Sequence, residues 1–198
     1  MKKTVILSAL FALLALPAQA APETYEFDSS HTNIVWFASH FGFSKSSGQF
    51  VRHDGTVTVD EAAPENSNVD ITIYTDSLVT GLDDFDAHLK NEDFFNVEEH
   101  PEARFVSKSV EMTGENTAKV TGDFTMLGVT KPLVLDVVMN KKGTNPFNKK
   151  EMIGFSAKGT IVRSEYGMTY GLPGVSDEVE LIIEAEAVKE TAATDSSS

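Results

Sequence analysis

The chain has 198 residues, a formal net charge of −14 and no cysteine. The negative charge argues against nucleic acid and anionic membrane faces as partners, because both repel an acidic surface. The lack of cysteine excludes a disulfide framework, and a chain of this length can bury a sufficient apolar core without one.

The first predicted element is a secretory signal in residues 1–20. Lys2 and Lys3 precede an apolar run over residues 5–16, and Ala18-Gln19-Ala20 has the small-x-small form of a cleavage site. The run is shorter than the roughly 20 residues that cross a bilayer. We therefore expect export to the periplasm and cleavage near Ala20. Without residues 1–20 the net charge becomes −16, because that segment carries two lysines and no acid.

From Tyr25 onward, apolar and polar residues alternate, which is the pattern of half-buried β-strands. Turn-forming residues separate the alternating segments at 54–55, 114–116, 127–132 and 143–146. About eight or nine strands joined mainly by short turns predict an antiparallel sandwich or an up-and-down barrel. In chain order the predicted strands cover residues 32–40, 48–53, 55–60, 68–75, 103–110, 118–127, 133–139, 152–162 and 178–187.

Residues 83–91 break the alternating pattern and predict a short helix. Acids at the start of this segment and Lys90 near its end suit the helix dipole. Phe85 and Leu89 are four residues apart and share a face, and Phe94 and Phe95 follow just beyond the helix. We expect either an apolar lid with charges on its outer side or an ordinary plug of one barrel end.

Small residues on the apolar faces of the strands suggest a hollow interior. If they point inward, the interior is under-filled, and an eight-stranded barrel can then hold one small ligand. The alternative is that the helix or large neighbouring side chains fill the gap. An outer-membrane barrel turns its apolar face to lipid, has a polar lumen and carries aromatic girdles at both membrane interfaces. It does not fit, because the polar face here is dense in Glu, Asp and Lys and the aromatic residues lie mostly in the first half of the chain. The small residues are Ala103, Ala118, Gly122, Ala157, Gly159, Ala185 and Ala187.

The residue types that carry catalysis or bind metals form no recognisable motif. His88 and His100 are twelve residues apart among acids, and this spacing matches no local zinc motif. His31 and His40 are predicted to lie on opposite faces of one strand, so they make no joint site. The chain has no cysteine nucleophile and no Gly-x-Ser-x-Gly elbow. Two alternatives stay open: a metal-dependent hydrolase that uses His88 and His100, and a filled-barrel stress-response interaction protein.

Four short motifs occur together: Asp86-x-His88-Leu89, Asp93-Phe94-Phe95, Pro101-x-Ala103-x-Phe105 and Gly128-Val129-Thr130-Lys131-Pro132. With the segments around them, they resemble the YceI family of lipocalin-like, polyisoprenoid-binding periplasmic proteins. The resemblance extends over residues 25–188. It implies an all-β fold, an eight-stranded antiparallel lipocalin-like barrel with a short helix near one end, and an apolar tunnel for an isoprenoid chain. It also implies a homodimer, which is frequent in the family.

One residue departs from the family pattern. Members often carry arginine before the aspartate of the Arg-Asp-x-His-Leu turn, whereas this chain has Phe85 before Asp86. The cation that could pair with an anionic head group is missing at that position. The resemblance therefore favours a neutral head group, such as a quinone, over a pyrophosphate.

We predict a soluble periplasmic barrel domain over residues 21–189 that sequesters or carries a long-chain isoprenoid, either a polyprenyl lipid or an isoprenoid quinone. Residues 190–198 are predicted to be a disordered tail. We expect no enzymatic activity, no metal, no cofactor other than the bound lipid, no nucleic-acid partner and no integral membrane segment. Asp86 and His88 are expected to order the mouth. The predicted ligand-binding residues are Trp36, Phe43, Ile71, Ile73, Asp86, His88, Phe94, Phe105, Phe124 and Phe155.

Overall fold

Residues 21–190 are described by the computed structural model, and they contain eleven β-strands and one α-helix. The predicted signal and residues 191–198 of the predicted tail lie outside the described residues. The helix is α1 (Asp83–Lys90), and short 3-10 helices cover Pro64–Asn66, Thr75–Ser77 and Arg163–Tyr166. The strands are β1 (Glu23–Phe27), β2 (Asn33–His40), β3 (Ser44–Phe50), β4 (His53–Val59), β5 (Asn68–Tyr74), β6 (Leu78–Val79), β7 (Glu102–Met112), β8 (Thr117–Met126), β9 (Val129–Thr144), β10 (Glu151–Val162) and β11 (Val175–Lys189).

The eleven strands form a closed antiparallel barrel with eight strand positions. Three of these positions are each occupied by two short strands that follow one another in the chain. β11 pairs with both β1 and β2. On their other side, β1 pairs with β4 and β2 pairs with β3. β5 pairs with β4, and β6 pairs with β3. β7, β8, β9 and β10 complete the circle, which closes where β1 meets β11. The predicted fold class is confirmed.

The strand register defines two ends of the barrel. We call one the helix end, since it carries α1, the turn at Leu127-Gly128 and the 3-10 helix at Arg163–Tyr166. The other is the hairpin end, where residues 145–150 connect β9 to β10 and residues 113–116 connect β7 to β8. The predicted turn at 127–132 is too long, because β9 already begins at Val129. The predicted turn at 143–146 is shifted, because β9 continues to Thr144.

The pattern missed β1 and β6, predicted a strand at residues 48–53 that shares only residues 48–50 with β3, and placed one turn inside a strand. β3 (SKSSGQF) offers serine and glycine at positions where alternation would need large apolar residues. The predicted turn at Asp54-Gly55 is wrong, because both residues lie inside β4. Gly55 has a φ of +154°, and a Cβ atom there would overlap the carbonyl oxygen of Asp70 on β5. The glycine thus serves a close approach of two strands.

The predicted strand position of His31 is also wrong. His31 lies in the turn before β2, where its Nδ1 is 2.8 Å from Oδ2 of Asp28. This contact raises the pKa of His31 by hydrogen bonding to the Asp28 carboxylate and by its negative charge. The side chain is exposed and takes no part in the interior.

Candidate ligand-binding cavity

A cavity of about 820 Å³ lies inside the barrel and is bordered by residues of both ends. Its wall is built by the inward faces of the strands, with α1 and the loop after it at the helix end. The middle of the wall is apolar because alternate residues of each strand point inward. Representative wall residues are Ile34, Trp36, Ile73, Phe105, Val120, Phe124, Leu133, Leu135, Ile161 and Leu181.

The small residues singled out in the sequence have two different uses. Ala103, Ala118, Ala157 and Ala185 border the cavity, as the hollow-barrel interpretation expects. At the glycines, neighbouring side chains fill the space. A Cβ atom at Gly122 would lie 2.6 Å from Cζ of Phe105, and one at Gly159 would lie 2.7 Å from Cδ2 of Leu135. Ala187 is fully buried in a separate cluster with Tyr25, Val57 and Ile153.

An apolar lid closes around the helix end. Phe85 and Leu89 of α1, together with Phe94 and Phe95 after it, line the cavity. The ring centroids of Phe50 and Phe95 are 5.3 Å apart in an edge-to-face arrangement, which fixes the loop against the barrel wall. The charges of this region point the other way, because the side chains of Asp83, Asp84, Glu92, Asp93, Glu98 and Glu99 are exposed.

His88 belongs to an aromatic cluster at this end. Its ring centroid is 5.0 Å from that of Phe94 and 5.3 Å from that of Tyr170, and all three residues line the cavity. His100 does not line the cavity and lies against Gly128, so the structure does not place the two histidines in one site. Within residues 21–190, no group of three or more His, Asp or Glu side chains is arranged to hold a metal ion.

Asp86 acts through the backbone next to the helix and does not line the cavity. Its Oδ1 accepts hydrogen bonds from the amide of Thr80, at 2.7 Å, and from Oγ1 of Thr80, at 2.5 Å. These two bonds tie the segment between β6 and α1 to the first turn of the helix. Such a role fits the expectation that Asp86 orders one end of the barrel, but direct ligand contact stays a prediction.

The structure places most of the predicted ligand-binding residues at the cavity. Phe43 is the clear departure: its side chain is 91% exposed and lies outside the cavity. The cause is the turn between β2 and β3, where Phe41 and Gly42 both have positive φ, so that alternation does not continue through position 43. Phe41 lines the cavity instead. Trp36, Ile71, Ile73, His88, Phe94, Phe105, Phe124 and Phe155 all border it.

Arg163 is a residue of the cavity wall that the sequence pattern did not reveal. It is 2% exposed and donates four hydrogen bonds of 2.8 to 3.0 Å to the carbonyl oxygens of Met168, Tyr170, Val175 and Ser176. Burial lowers the pKa of Arg163, while the nearby Asp177 carboxylate opposes that change. The guanidinium is thus committed to the backbone of the loop between β10 and β11 and of the first two residues of β11. No local motif could show this, because its acceptors are carbonyl groups.

The hairpin end of the cavity is polar and acidic. Asp60, Glu61, Glu115 and Asn116 border it, and Oδ1 of Asp60 accepts from the amides of Ala62 and Ala63. The cavity is therefore apolar from the helix-end lid through its middle and polar at the hairpin end. Such a shape suits an elongated hydrocarbon with its polar group at one terminus.

A charged cluster closes the barrel wall beside this end. Nζ of Lys142 lies 2.5 Å from Oε2 of Glu23 and 2.6 Å from Oε1 of Glu61, and Lys189 pairs with the other oxygen of Glu23. Hydrogen bonds from Lys142, Lys189 and Tyr25 lower the pKa of Glu23 to about 2. The cluster links β1, β9 and β11 at the seam, which is where β1 meets β11 and the barrel closes.

No described helix is both long enough and apolar enough to cross a membrane. The sequence model of a family described as YceI-like domain matches residues 25–187. A UPF0312 protein of Pseudomonas putida (strain GB-1) is 38% identical over 192 residues, which cover 96% of this chain and 99% of that protein.

Solved structures show the same architecture. A Campylobacter jejuni YCEI protein superposes with a TM-score of 0.68 at 32% identity, covering 77% of this chain and 90% of that one. A polyisoprenoid binding domain from Saccharophagus degradans, implicated in plant cell wall breakdown, gives a TM-score of 0.65 at 13% identity, over 84% of this chain and 98% of that domain. At such low identity the second likeness shows the fold alone.

Proposed function

This chain belongs to the YceI family, and from that premise we propose that it binds a long-chain isoprenoid lipid inside its barrel. The observation that carries the proposal is the cavity of about 820 Å³, which is apolar in its middle and at the helix-end lid and polar at the hairpin end. A polar ligand in the middle would lose its hydrogen bonds to water and find no partners in the wall. A hydrocarbon chain has no such cost. The Saccharophagus domain described as polyisoprenoid binding has the same fold.

Hydrocarbon burial supplies the affinity. Each 100 Å² of apolar surface that the ligand removes from water contributes about 2.5 kcal/mol. Part of this is lost in immobilising the ligand, and the loss is smaller when the cavity is already formed. The helix-end lid built by Leu89, Phe94 and Phe95 adds apolar surface where the chain would otherwise meet water.

The charges along the wall favour a neutral head group. Among the described residues that line the cavity, Arg163 is the only arginine or lysine, and four backbone carbonyls already engage it. Phe85 stands where the family often has arginine. Asp60, Glu61 and Glu115 at the hairpin end repel an anion. An isoprenoid quinone or a neutral polyprenyl lipid therefore fits better than a pyrophosphate.

We further propose that the protein sequesters or carries this lipid in the periplasm and performs no catalytic step. The signal-like residues 1–20 support that location. A binding role needs only burial and release, so His88 serves as part of the apolar cluster with Phe94 and Tyr170. Assembly as a homodimer stays a proposal that rests on the family resemblance.

Identification of the bound molecule tests the proposal. Protein purified from bacterial cells is analysed by native mass spectrometry and solvent extraction, and we expect a co-purified isoprenoid. Repeated recovery of apoprotein that binds no added prenyl lipid would contradict the proposal.

A pair of neighbouring substitutions locates the lipid. Ala157→Phe fills the cavity from β10, whereas Lys158→Phe places the same ring on the outer face of the same strand. We expect Ala157→Phe to weaken binding of long prenyl chains at least about tenfold, with Lys158→Phe unchanged. Circular dichroism and urea unfolding check that both variants are folded. Equal affinities of two folded variants would place the lipid outside the barrel.

A further inference from the structure

The tip of the β9–β10 hairpin, residues 141–150, has a charge opposite to that of the chain. It carries four lysines and no acid, in a protein whose net charge is −14. Phe147 lies in the middle of this segment, and its side chain is 93% exposed. An aromatic ring that contacts so little protein contributes nothing to the core, and this one stands out because it lies among lysines.

The tip is an ordered turn that holds Phe147 outward. The amide of Asn145 donates to the carbonyl of Lys150 at 2.8 Å, and the amide of Lys149 donates to the carbonyl of Asn145 at 3.0 Å. Oδ1 of Asn145 accepts from the amide of Phe147 at 2.9 Å, and Oδ1 of Asn148 accepts from the amide of Lys150 at 3.0 Å. The ring is therefore presented to the outside by a defined backbone.

Three of the four lysines have no carboxylate partner among the described residues. Lys142 is neutralised by Glu23 and Glu61, whereas Lys141, Lys149 and Lys150 take part in none of the ion pairs found there. The next acid along the chain, Glu151, accepts a hydrogen bond from Oγ1 of Thr144. Nζ of Lys149 donates a hydrogen bond to the carbonyl of Pro146 at 2.8 Å. The tip therefore combines one exposed ring with three ammonium groups that no described carboxylate neutralises.

We propose that this tip docks on the surface of an anionic phospholipid bilayer. Phe147 would enter the boundary between head groups and acyl chains, and Lys141, Lys149 and Lys150 would contact the lipid phosphates. The shape of the tip favours a bilayer over a protein partner. A stable protein interface covers about 800 Å² on each side, which a convex turn with one ring does not supply. A fluid surface needs no such matching patch.

The acidic barrel does not prevent this docking. At physiological ionic strength the repulsion between charges decays over about 8 Å, so only groups close to the bilayer contribute fully. Residues 139–144 of β9 continue past the last pairing with β8, at Val138, and carry the tip away from that neighbour. The repulsion expected from the total charge applies to the barrel wall, while the tip itself is basic.

Docking would bring the hairpin end of the cavity close to the bilayer. Met139 on β9 and Phe155 on β10 are register partners below the tip, and both line the cavity. Glu61, which Lys142 binds, lines it as well. The docking does not rest on the proposed lipid cargo, because its chemistry involves only the tip and the head groups.

Vesicle binding tests the proposal. The purified protein is sedimented with vesicles of phosphatidylcholine alone, or of phosphatidylcholine mixed with phosphatidylglycerol. We expect binding to the mixed vesicles that weakens as salt is raised, and little binding to phosphatidylcholine alone. Phe147→Ser and the double variant Lys149→Glu/Lys150→Glu should each weaken binding at least about tenfold, since one basic residue near such a surface changes affinity about fivefold.

Matched controls separate the tip from general effects of ring and charge. Phe43→Ser removes a ring that is 91% exposed at the opposite end, and Lys131→Glu/Lys158→Glu makes the same charge change elsewhere. Both should bind as the unchanged protein does. No binding to anionic vesicles, equal loss in tip and control variants, or self-association that Phe147→Ser abolishes would each overturn the proposal. The vesicles contain no isoprenoid, so this result and the lipid-binding result can fail separately.

Discussion

The indole of Trp36 lies across the backbone of Gly48 on the neighbouring strand. The two residues are register partners in β2 and β3, and a Cβ atom at position 48 would fall 2.7 Å from Cζ2 of Trp36. Trp36 also lines the cavity. Gly48 therefore determines where the indole stands in the wall, and any side chain at position 48 pushes the indole out of place.

Gly48→Ala should therefore affect both stability and binding. We expect a loss of about 1–3 kcal/mol in the free energy of unfolding, because the rigid ring must move to remove the overlap. Lipid affinity should fall as well, since the ring shifts within the cavity wall. Gly154→Ala is the matched control, because no atom lies closer than 3.8 Å to a Cβ atom there. Urea unfolding measures the first effect, and equal losses at both glycines would contradict it.

Trp36 is the only tryptophan of the chain, so its fluorescence reports on the cavity directly. Titration with an isoprenoid quinone should quench the emission with saturation at one ligand per chain. A water-soluble quinone ring without the prenyl tail should quench far less at equal concentration, because the tail supplies the affinity. Saturable quenching of equal strength by both molecules would show that the tail does not bind.

The sequence predicted the fold where one face of a strand is uniformly apolar. β8 alternates over its whole length, so its bounds and inward face were predictable, whereas β3 offers serines and glycine in its first half and only its last three residues were predicted. The small residues could not be interpreted from sequence alone. Ala157 leaves space, but Gly159 two positions later is covered by Leu135.

Two residues of the candidate site show where sequence reasoning has to fail. Phe43 was predicted to face inward, but the positive φ angles of Phe41 and Gly42 turn its side chain to the outside of the barrel. Arg163 binds four carbonyl groups that approach it only after the loop between β10 and β11 has folded. Backbone acceptors have no residue type, so no pattern of side chains marks them.

Arg163→Lys should destabilise the helix end of the barrel. A lysine has one ammonium group and cannot reach four carbonyls that a planar guanidinium satisfies, so buried acceptors lose their partners. We expect a loss of about 2–4 kcal/mol in the free energy of unfolding. Limited proteolysis should show cleavage within residues 167–174. The control is Arg104→Lys, where an exposed guanidinium pairs with Asp70, and it should cost below about 1 kcal/mol. Equal losses would exclude the proposed role of the carbonyls.

The seam should respond to pH through Glu23. Hydrogen bonds from Lys142, Lys189 and Tyr25 lower its pKa from 4.5 to about 2. A lowered pKa stabilises the folded state above pH 4.5, and this contribution is lost as the pH falls from 4.5 towards 2. The unchanged protein should therefore be more stable than Glu23→Gln at pH 7, and the difference should shrink across that interval.

Urea unfolding at several pH values measures the seam contribution. Glu65→Gln, at an exposed side chain outside the ion pairs of the described region, is the control and should show no such interval. A stability difference between Glu23→Gln and the unchanged protein that stays constant from pH 7 to pH 2 would contradict the coupling.

Asp86→Ala should make the segment between β6 and α1 less ordered. Losing the two bonds to Thr80 should cost about 1–2 kcal/mol in the free energy of unfolding. Amide hydrogen exchange at Thr80 should become faster, and a bound lipid should leave sooner if this segment orders the mouth. Asp84→Ala removes an exposed acid from the same helical turn and controls for the helix dipole. Indistinguishable exchange in the two variants would argue against the role of Asp86.

The seam between β1 and β11 also sets an order of events in time. Tyr25 pairs with Lys189, so the wall is complete only when the first strand of the barrel meets the last. Pairings between residues so distant in sequence form late, and barrels of this kind fold in milliseconds to seconds. A nascent chain that lacks β11 has no enclosed interior. Binding of the proposed lipid must therefore follow or accompany the final closure, and a chain truncated before β11 has no interior that could hold it.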